Sequence, residues 1–222
     1  MSDAPDGFGP EAEQFFAGLE ADNSRTYFTG HRDLFDRAVA EPMAALLDSL
    51  PGRYHPFKTF RMNRDVRFSR DKSPYKTAHA AVHSDRGVDH YLHVEAGRLL
   101  AATGAYLWAP DQLERYRQAV VDDHSGPELE QLVAELRKRR SLEVGPGGAE
   151  PLKTSPRGYS SDHPRIELLR WKGLIGSRTM TGPRIARLAD VRRHVLETFA
   201  MCADVNSWIT AHVGPSEESG RW

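Results

Sequence analysis

The chain has 222 residues, is 39% hydrophobic and 27% charged, and carries a net charge of −1, a globular composition long enough to bury a core. A net charge so near zero excludes a global field that draws the whole protein onto nucleic acid or membrane. The single cysteine, Cys202, excludes an intrachain disulfide and cysteine-based zinc centres. It suits a reducing compartment. No apolar run approaches the roughly 20 residues of a membrane helix, and the acidic N-terminus lacks the apolar core of a signal peptide. A cytoplasmic location is the expectation.

Residues 1–9 are rich in Gly, Pro and Asp and read as a loose leader. Pro10 suits a first helical turn, and Phe15, Phe16 and Leu19 form an apolar stripe behind it. Asp22-Asn23-Ser24 breaks that helix with capping residues. A second helix is expected from Thr26, burying Tyr27, Phe28, Leu34, Phe35 and Val39, with Pro42 kinking or restarting it before Pro51-Gly52 ends it. The period then changes. Tyr54–Met62 reads as a strand, Ala78–His83 and His90–Glu95 as two strands joined by the turn Ser84–Asp89, and Leu99–Leu107 as another. Gly104 inside that last strand points to a bulge or a close backbone approach.

Helices resume at Pro110. Leu113, Tyr116, Val120 and Val121 form one stripe, and Leu129, Leu132, Val133 and Leu136 another. Leu142–Val144 and Leu174–Met180 read as short strands, Pro164–Arg170 as a short helix with Asp162 near its N-cap, and Ile185–Met201 and Asp204–His212 as closing helices. Gly145–Ser161 is a long Gly/Pro/Ser-rich connection of the kind that often carries function. The expected fold class is α+β: an antiparallel meander with helices before and after it packed mainly on one face, and the other face holding polar side chains. One domain is expected over residues 10–213, with a flexible tail over 214–222.

The density of charge in Phe60–Lys76, FRMNRDVRFSRDKSPYK, stands out. Arg53–Lys76 holds eight basic and two acidic residues, a net of +6, so with −1 overall the remainder carries −7. The pattern Arg61-x-x-Arg64-Asp65-x-Arg67-Phe68-x-x-Asp71-Lys72-x-x-Tyr75-Lys76 resembles the signature of a bacterial family called domain of unknown function 2461. Asp22-Asn23-Ser24-Arg25-Thr26-Tyr27-Phe28 is similar to that family's Asn-Asn-x-x-Trp-Phe segment, with Asp and Tyr departing from it. Leu152-Lys153-Thr154-x-Pro156-Arg157-Gly158-Tyr159-x-x-Asp162-His163-Pro164 resembles its second polar segment. The resemblance spans roughly residues 11 to 213. It implies a single domain of about this size and carries no activity across.

The charged residues support three readings. In the first, Arg61, Arg64, Arg67 and Lys72 grip a phosphate- or carboxylate-bearing small molecule. Asp65 and Asp71 orient the arginines, and Tyr75, Lys76, Lys153, Arg157 and His163 complete a cationic cleft. Phosphoester chemistry is the reaction class that most needs such charge. In the second, the motif is an internal ion-pair scaffold, with Phe68 and Tyr75 as core anchors, in a structural or protein-interaction module. The third is nucleic-acid contact with Phe60, Phe68 and Tyr75 interleaved, against which the net charge and the two acids argue. A metal reading needs His79, His83, His93 and Glu95 on one sheet face, a set that a one-residue slip in register destroys.

Other features are structural. Cys202 reads as a small core residue, Trp108, Trp171 and Trp208 as packing residues, and Ser160-Ser161 beside Asp162 and His163 as too compact for a triad. No phosphate loop or dinucleotide fingerprint is present, and no cofactor is expected.

Overall fold

The computed structural model describes residues 6–67 and 71–218. They form two compact units. One holds the chain up to His83, with Tyr91–Ala101 and Thr179–Glu197; the other holds Ser84–His90, Ala102–Arg178 and the chain from Thr198 onward. The architecture is α+β, with a six-stranded antiparallel sheet in the order β1-β2-β3-β4-β6-β5 and helices flanking it.

The first unit begins with α1 (Pro10–Ala21), α2 (Arg25–Gly30), α3 (Arg32–Phe35) and α4 (Glu41–Asp48). Ser24 caps α2 by accepting from the Tyr27 amide at 3.1 Å. The break expected at Pro42 is a π-helical stretch, Asp36–Ala40, followed directly by α4. Pro42 has no N–H to offer the Ala38 carbonyl, and its ring crowds that carbonyl, so the ladder widens there. Phe15, Phe28 and Phe35 from three of these helices meet with ring centroids 5.3–6.0 Å apart and are buried. Residues 6–9, placed in the leader from the sequence, are held by the 183–188 segment. Gly7 and Phe8 amides donate to Ala186 and Ile185 carbonyls, the Leu188 amide donates to Asp6 Oδ1, and Phe8 is buried. Residues 1–5 lie outside the described residues.

The strands are β1 (Lys58–Thr59), β2 (His79–Asp85), β3 (Val88–Glu95) and β4 (Arg98–Ala105). The strand expected over Tyr54–Met62 is cut to two residues, because Gly52–Tyr54 is a 3-10 turn and Pro56 cannot donate to a ladder. Lys58 and Thr59 pair with Val82 and Ala81. The turn expected over Ser84–Asp89 is tighter than its composition suggests: β2 runs to Asp85, β3 starts at Val88, and only Arg86 and Gly87 turn, both at positive φ (49° and 84°). Asp85 therefore faces Val88, and Ser84 Oγ bonds Asp89 at 2.5 Å.

That register settles the faces of the hairpin. One face carries His79, Ala81 and His83 on β2 with Leu92 and Val94 on β3, all buried. His79 meets Phe35 of α3 edge-on at 5.3 Å. The other face carries Tyr91, His93 and Glu95, which are half-buried.

The second unit continues with α5 (Pro110–Val121), α6 (Ser125–Arg137), β5 (Glu143–Gly145), α7 (Ile166–Leu169) and β6 (Leu174–Thr181). After a 3-10 turn at Pro183–Ala186 come α8 (Leu188–Met201), which runs through both units, and α9 (Ala203–His212). Its core joins Trp108, Tyr116, Leu129, Leu169, Trp171, Cys202 and Trp208. The three tryptophans and Cys202 are packing residues, as expected, and burial pushes the Cys202 thiol up to about 11. Gly104 lies at φ 129°, with β6 so near that a Cβ there meets the Leu174 carbonyl oxygen at 2.1 Å. The close approach is real and the glycine is required.

Residues 214–218, expected in a flexible tail, are tied to α5. Gln112 and Arg115 donate to the Gly214 and Pro215 carbonyls, and Asp111 accepts from Ser216 Oγ and the Glu217 amide. Residues 219–222 lie outside the described residues. Among the described residues no helix is long and apolar enough to cross a membrane.

Candidate functional site

The Arg61–Lys76 segment is the end of an antiparallel arm that grows from the β1–β2 pairing. Phe60 donates to the Ala80 carbonyl at 2.8 Å, Asn63 bridges Tyr75, Arg64 donates to Pro74, and Lys76 donates to Met62. The strand-then-loop geometry follows from Pro74, which disfavours helix before it and leaves its carbonyl free to accept. Phe68, which is in the signature, and Arg70, which adds to the segment's charge, lie outside the described residues.

The arm is fastened to the helices at one residue. The Asn23 side chain spans both backbone groups of Tyr75: its Nδ2 donates to the Tyr75 carbonyl at 3.1 Å, and its Oδ1 accepts from the Tyr75 amide at 3.0 Å. An amide side chain thereby supplies the donor and acceptor that a neighbouring strand normally offers. The Tyr75 ring stacks on Phe28, with centroids 4.2 Å apart and planes 10° apart, and is buried. Tyr75 is thus an anchor rather than part of an open wall. Sequence reading missed Asn23 and Phe28 as partners of the motif. The available signal was a polar amide in a two-helix break, in a segment already resembling the family's.

Each aspartate of the loop holds one arginine and one turn. Asp65 accepts from the Arg67 amide at 3.2 Å and from Arg67 Nη2 at 2.6 Å. Hydrogen bonds from Arg67, side chain first and then backbone, hold the Asp65 carboxyl at about 2. Asp71 accepts from the Ser73 amide at 2.9 Å and pairs with Arg64. Bonds from Ser73, then Arg64, keep its carboxyl below the usual range. Neither pair is buried: the Arg67 side chain is 76% exposed and Arg64 33%. These are solvated pairs that shape the loop and add little stability each.

The remaining cations are held through their ammonium groups to backbone. Lys72 Nζ donates to the Val66 carbonyl and Lys76 Nζ to the Arg61 carbonyl, both at 2.9 Å. Lys76 also lies 5.2 Å from the centre of the Phe60 ring. Burial, then Arg61 and Arg64, pushes the Lys76 ammonium pKa down. Arg61 is exposed and forms no ion pair among the described residues. Below this cluster sits His79, whose Nδ1 is buried without a partner. Burial, and then Lys76, depresses its pKa.

The first unit therefore brings together Arg61, Arg64, Asp65, Arg67, Asp71, Lys72, Tyr75 and Lys76. Lys153, Arg157 and His163 belong to the second unit. There Lys153 and Arg157 are exposed, and His163 Nδ1 accepts from the Arg165 amide at 3.1 Å. The expected helix over Pro164–Arg170 is only the single turn α7, and Asp162 does not cap it; the Asp162 amide instead donates to Ser160 Oγ in a local turn.

The four residues of the metal reading do not converge. The two-residue turn shifts the register by one from the expected pairing, which puts His79 and His83 on the buried face and His93 and Glu95 on the other. His83 Nδ1 lies 3.0 Å from the Pro56 carbonyl, and His93 Nδ1 lies 3.3 Å from the Tyr91 hydroxyl. Among the described residues no three His, Cys, Asp or Glu side chains gather as a metal site.

Fold and site together define an α+β protein whose most distinctive local feature is a cationic loop clamped at Tyr75. The chain belongs to the family described as conserved hypothetical protein (DUF2461), which it matches over residues 11–208. A search of the curated proteins finds no match.

Proposed function

We propose that the Arg61–Lys76 loop binds the phosphate or carboxylate group of an anionic small molecule. Arg61, Lys76 and Arg64 are the gripping residues, with Arg67 and Lys72 at the rim. The carrying observation is geometric: Lys76 Nζ is held on the Arg61 carbonyl at 2.9 Å while the Arg61 side chain is exposed and forms no ion pair among the described residues, and burial first, then Arg61 and Arg64, disfavours the Lys76 charge. The loop's two acids are meanwhile engaged by Arg64 and Arg67. A fixed group of cations that repel one another is relieved by an arriving oxyanion, and guanidinium forks match its geometry. The clamp at Asn23 and the stack on Phe28 hold the loop in place beforehand, which lowers the entropic cost of binding. If the protein acts on its ligand, phosphoester chemistry is the class that gains most from such charge. We read the protein as cytoplasmic on the strength of its lone cysteine.

A second reading has an observation in its favour. Asp65 and Asp71 each bond both a backbone amide and an arginine two or seven residues away, which is how an ion-pair scaffold holds an irregular loop. The experiment that separates them is calorimetric titration of inorganic phosphate and pyrophosphate into wild type, Asp65→Asn and the double variant Arg61→Ala/Lys76→Met. Under the ligand reading the double variant binds about tenfold more weakly or worse with an unchanged melting temperature, while Asp65→Asn binds more tightly because Arg67 is released. Under the scaffold reading Asp65→Asn melts early and none of the three binds.

A further inference from the structure

In the first unit, the face of β2 and β3 opposite the one on which Phe35 meets His79 carries an aromatic pair beside the cationic arm. The register places both. Ser84 bonds Asp89 across the β2–β3 turn, so Val82 lies opposite Tyr91 and Ala80 opposite His93. Lys58 of β1 pairs with Val82, and the Phe60 amide donates to the Ala80 carbonyl at 2.8 Å. Residues directly opposite each other share a face. One row across this face therefore runs Phe60, Ala80, His93, and the next runs Lys58, Val82, Tyr91. Phe60, Val82, Tyr91 and His93 all keep part of their surface in solvent, and Lys58 is exposed.

Tyr91 and His93 meet edge to face with ring centroids 5.6 Å apart, and His93 Nδ1 lies 3.3 Å from the Tyr91 hydroxyl. His93 Nε2 has no partner among the described residues. Aromatic side chains on the open face of an antiparallel sheet are a general means of stacking nucleic-acid bases. The carboxylate nearest along the strand, Glu95, is answered by Arg98 at 3.2 Å, which lessens its repulsion of an anion. The cations begin at the other end of the same row. Lys76 Nζ lies 5.2 Å from the centre of the Phe60 ring and donates to the Arg61 carbonyl at 2.9 Å. Phe60 stands two strands from His93, about 10 Å, a span that a nucleoside diphosphate covers from its base to its terminal phosphate. Ala80, small and buried, is the residue between them.

We propose that the ligand of the Arg61–Lys76 loop is a nucleotide, with its base stacked on Tyr91 and His93 and its phosphates on Lys76 and Arg61. This rests on the anion-binding reading of the loop and names the class of molecule that the loop takes. His93 Nε2 is available to hydrogen-bond the base or the sugar, and Lys58 adds a charge at the rim. A nucleic-acid strand fits less well. The cations gather at the β1 edge and in the arm rather than along the face, and the chain outside Arg53–Lys76 carries −7, which repels a polyanion.

The test is calorimetric titration of pyrophosphate, adenosine diphosphate, uridine diphosphate and a single-stranded oligonucleotide into the full-length protein and into Tyr91→Leu/His93→Leu and Tyr91→Phe. In wild type at least one of the two nucleotides binds about tenfold or more tightly than pyrophosphate, the contribution of a stacked base. Tyr91→Leu/His93→Leu loses that advantage and keeps its affinity for pyrophosphate, which also shows that the variant is folded. Tyr91→Phe, which retains a ring, retains the advantage. Pyrophosphate bound as tightly as both nucleotides overturns the proposal and leaves the anion reading standing. So does a nucleotide advantage that survives in Tyr91→Leu/His93→Leu. A wild type that binds neither pyrophosphate nor a nucleotide overturns both. An oligonucleotide bound more tightly than either nucleotide overturns the small-molecule assignment in favour of a nucleic-acid strand.

Discussion

The residue on which the candidate site depends most is Asn23, which carries no charge and touches no proposed ligand. It replaces a strand edge with a single side chain, and both hydrogen bonds go to one half-enclosed peptide position. Asn23→Ala leaves the Tyr75 amide and carbonyl unanswered, and the expected loss is about 1–3 kcal/mol in urea unfolding. Asn23→Asp retains the acceptor but sets a carboxylate against the Tyr75 carbonyl, so it fails to restore stability. His79 offers a pH test at the same scale. Its folded pKa is depressed, chiefly by burial, so its contribution is fully present above the unfolded value near 6.5. It is lost as pH falls through the lower folded value. Melting temperature is therefore expected to decline on acidification below about pH 6.5, with a shallower decline in His79→Leu; identical profiles contradict the assignment.

At the scale of elements, the hairpins and helices were readable because apolar periodicity and glycine placement are local. Pro10, the Ser24 cap, the stripes of α5 and α6 and the strand over Leu174–Met180 all formed near their expected places. The failures have two physical causes, local backbone restrictions that composition does not advertise and partners far away in sequence. The Tyr54–Met62 strand shrank because a proline removes a donor that only the ladder needs. The β2–β3 turn tightened because Arg86 accepts a left-handed conformation that composition does not advertise, and this one shift dispersed the metal set. Residues 6–9 and 214–218 looked loose but are tied by backbone groups, which leave no mark in composition. Gly104 is the opposite case, since its oddity in a strand announced the close approach to β6. Gly104→Ala is expected to lower stability by about 1–3 kcal/mol or more, because the new Cβ meets backbone and not a movable side chain. Thermal unfolding checks it, and a variant as stable as wild type refutes the claim.

For the whole molecule, the useful quantity is how charge is distributed rather than its sum. A net of −1 conceals a window of +6 against a remainder of −7, and a short-range cationic site works well inside such a balance because its field is screened within about 10 Å. The sequence shows where the cations cluster but not what each is bonded to. The loop's own aspartates hold two arginines, backbone carbonyls hold two lysines, and Arg61 faces solvent. Whether this arrangement is a binding site is decided by one measurement: calorimetric titration of pyrophosphate into wild type and into Arg61→Ala/Lys76→Met. The account predicts that the double variant loses one class of binding sites while its melting temperature stays at the wild-type value. Superimposable isotherms for the two proteins, or a double variant that no longer folds, contradict it.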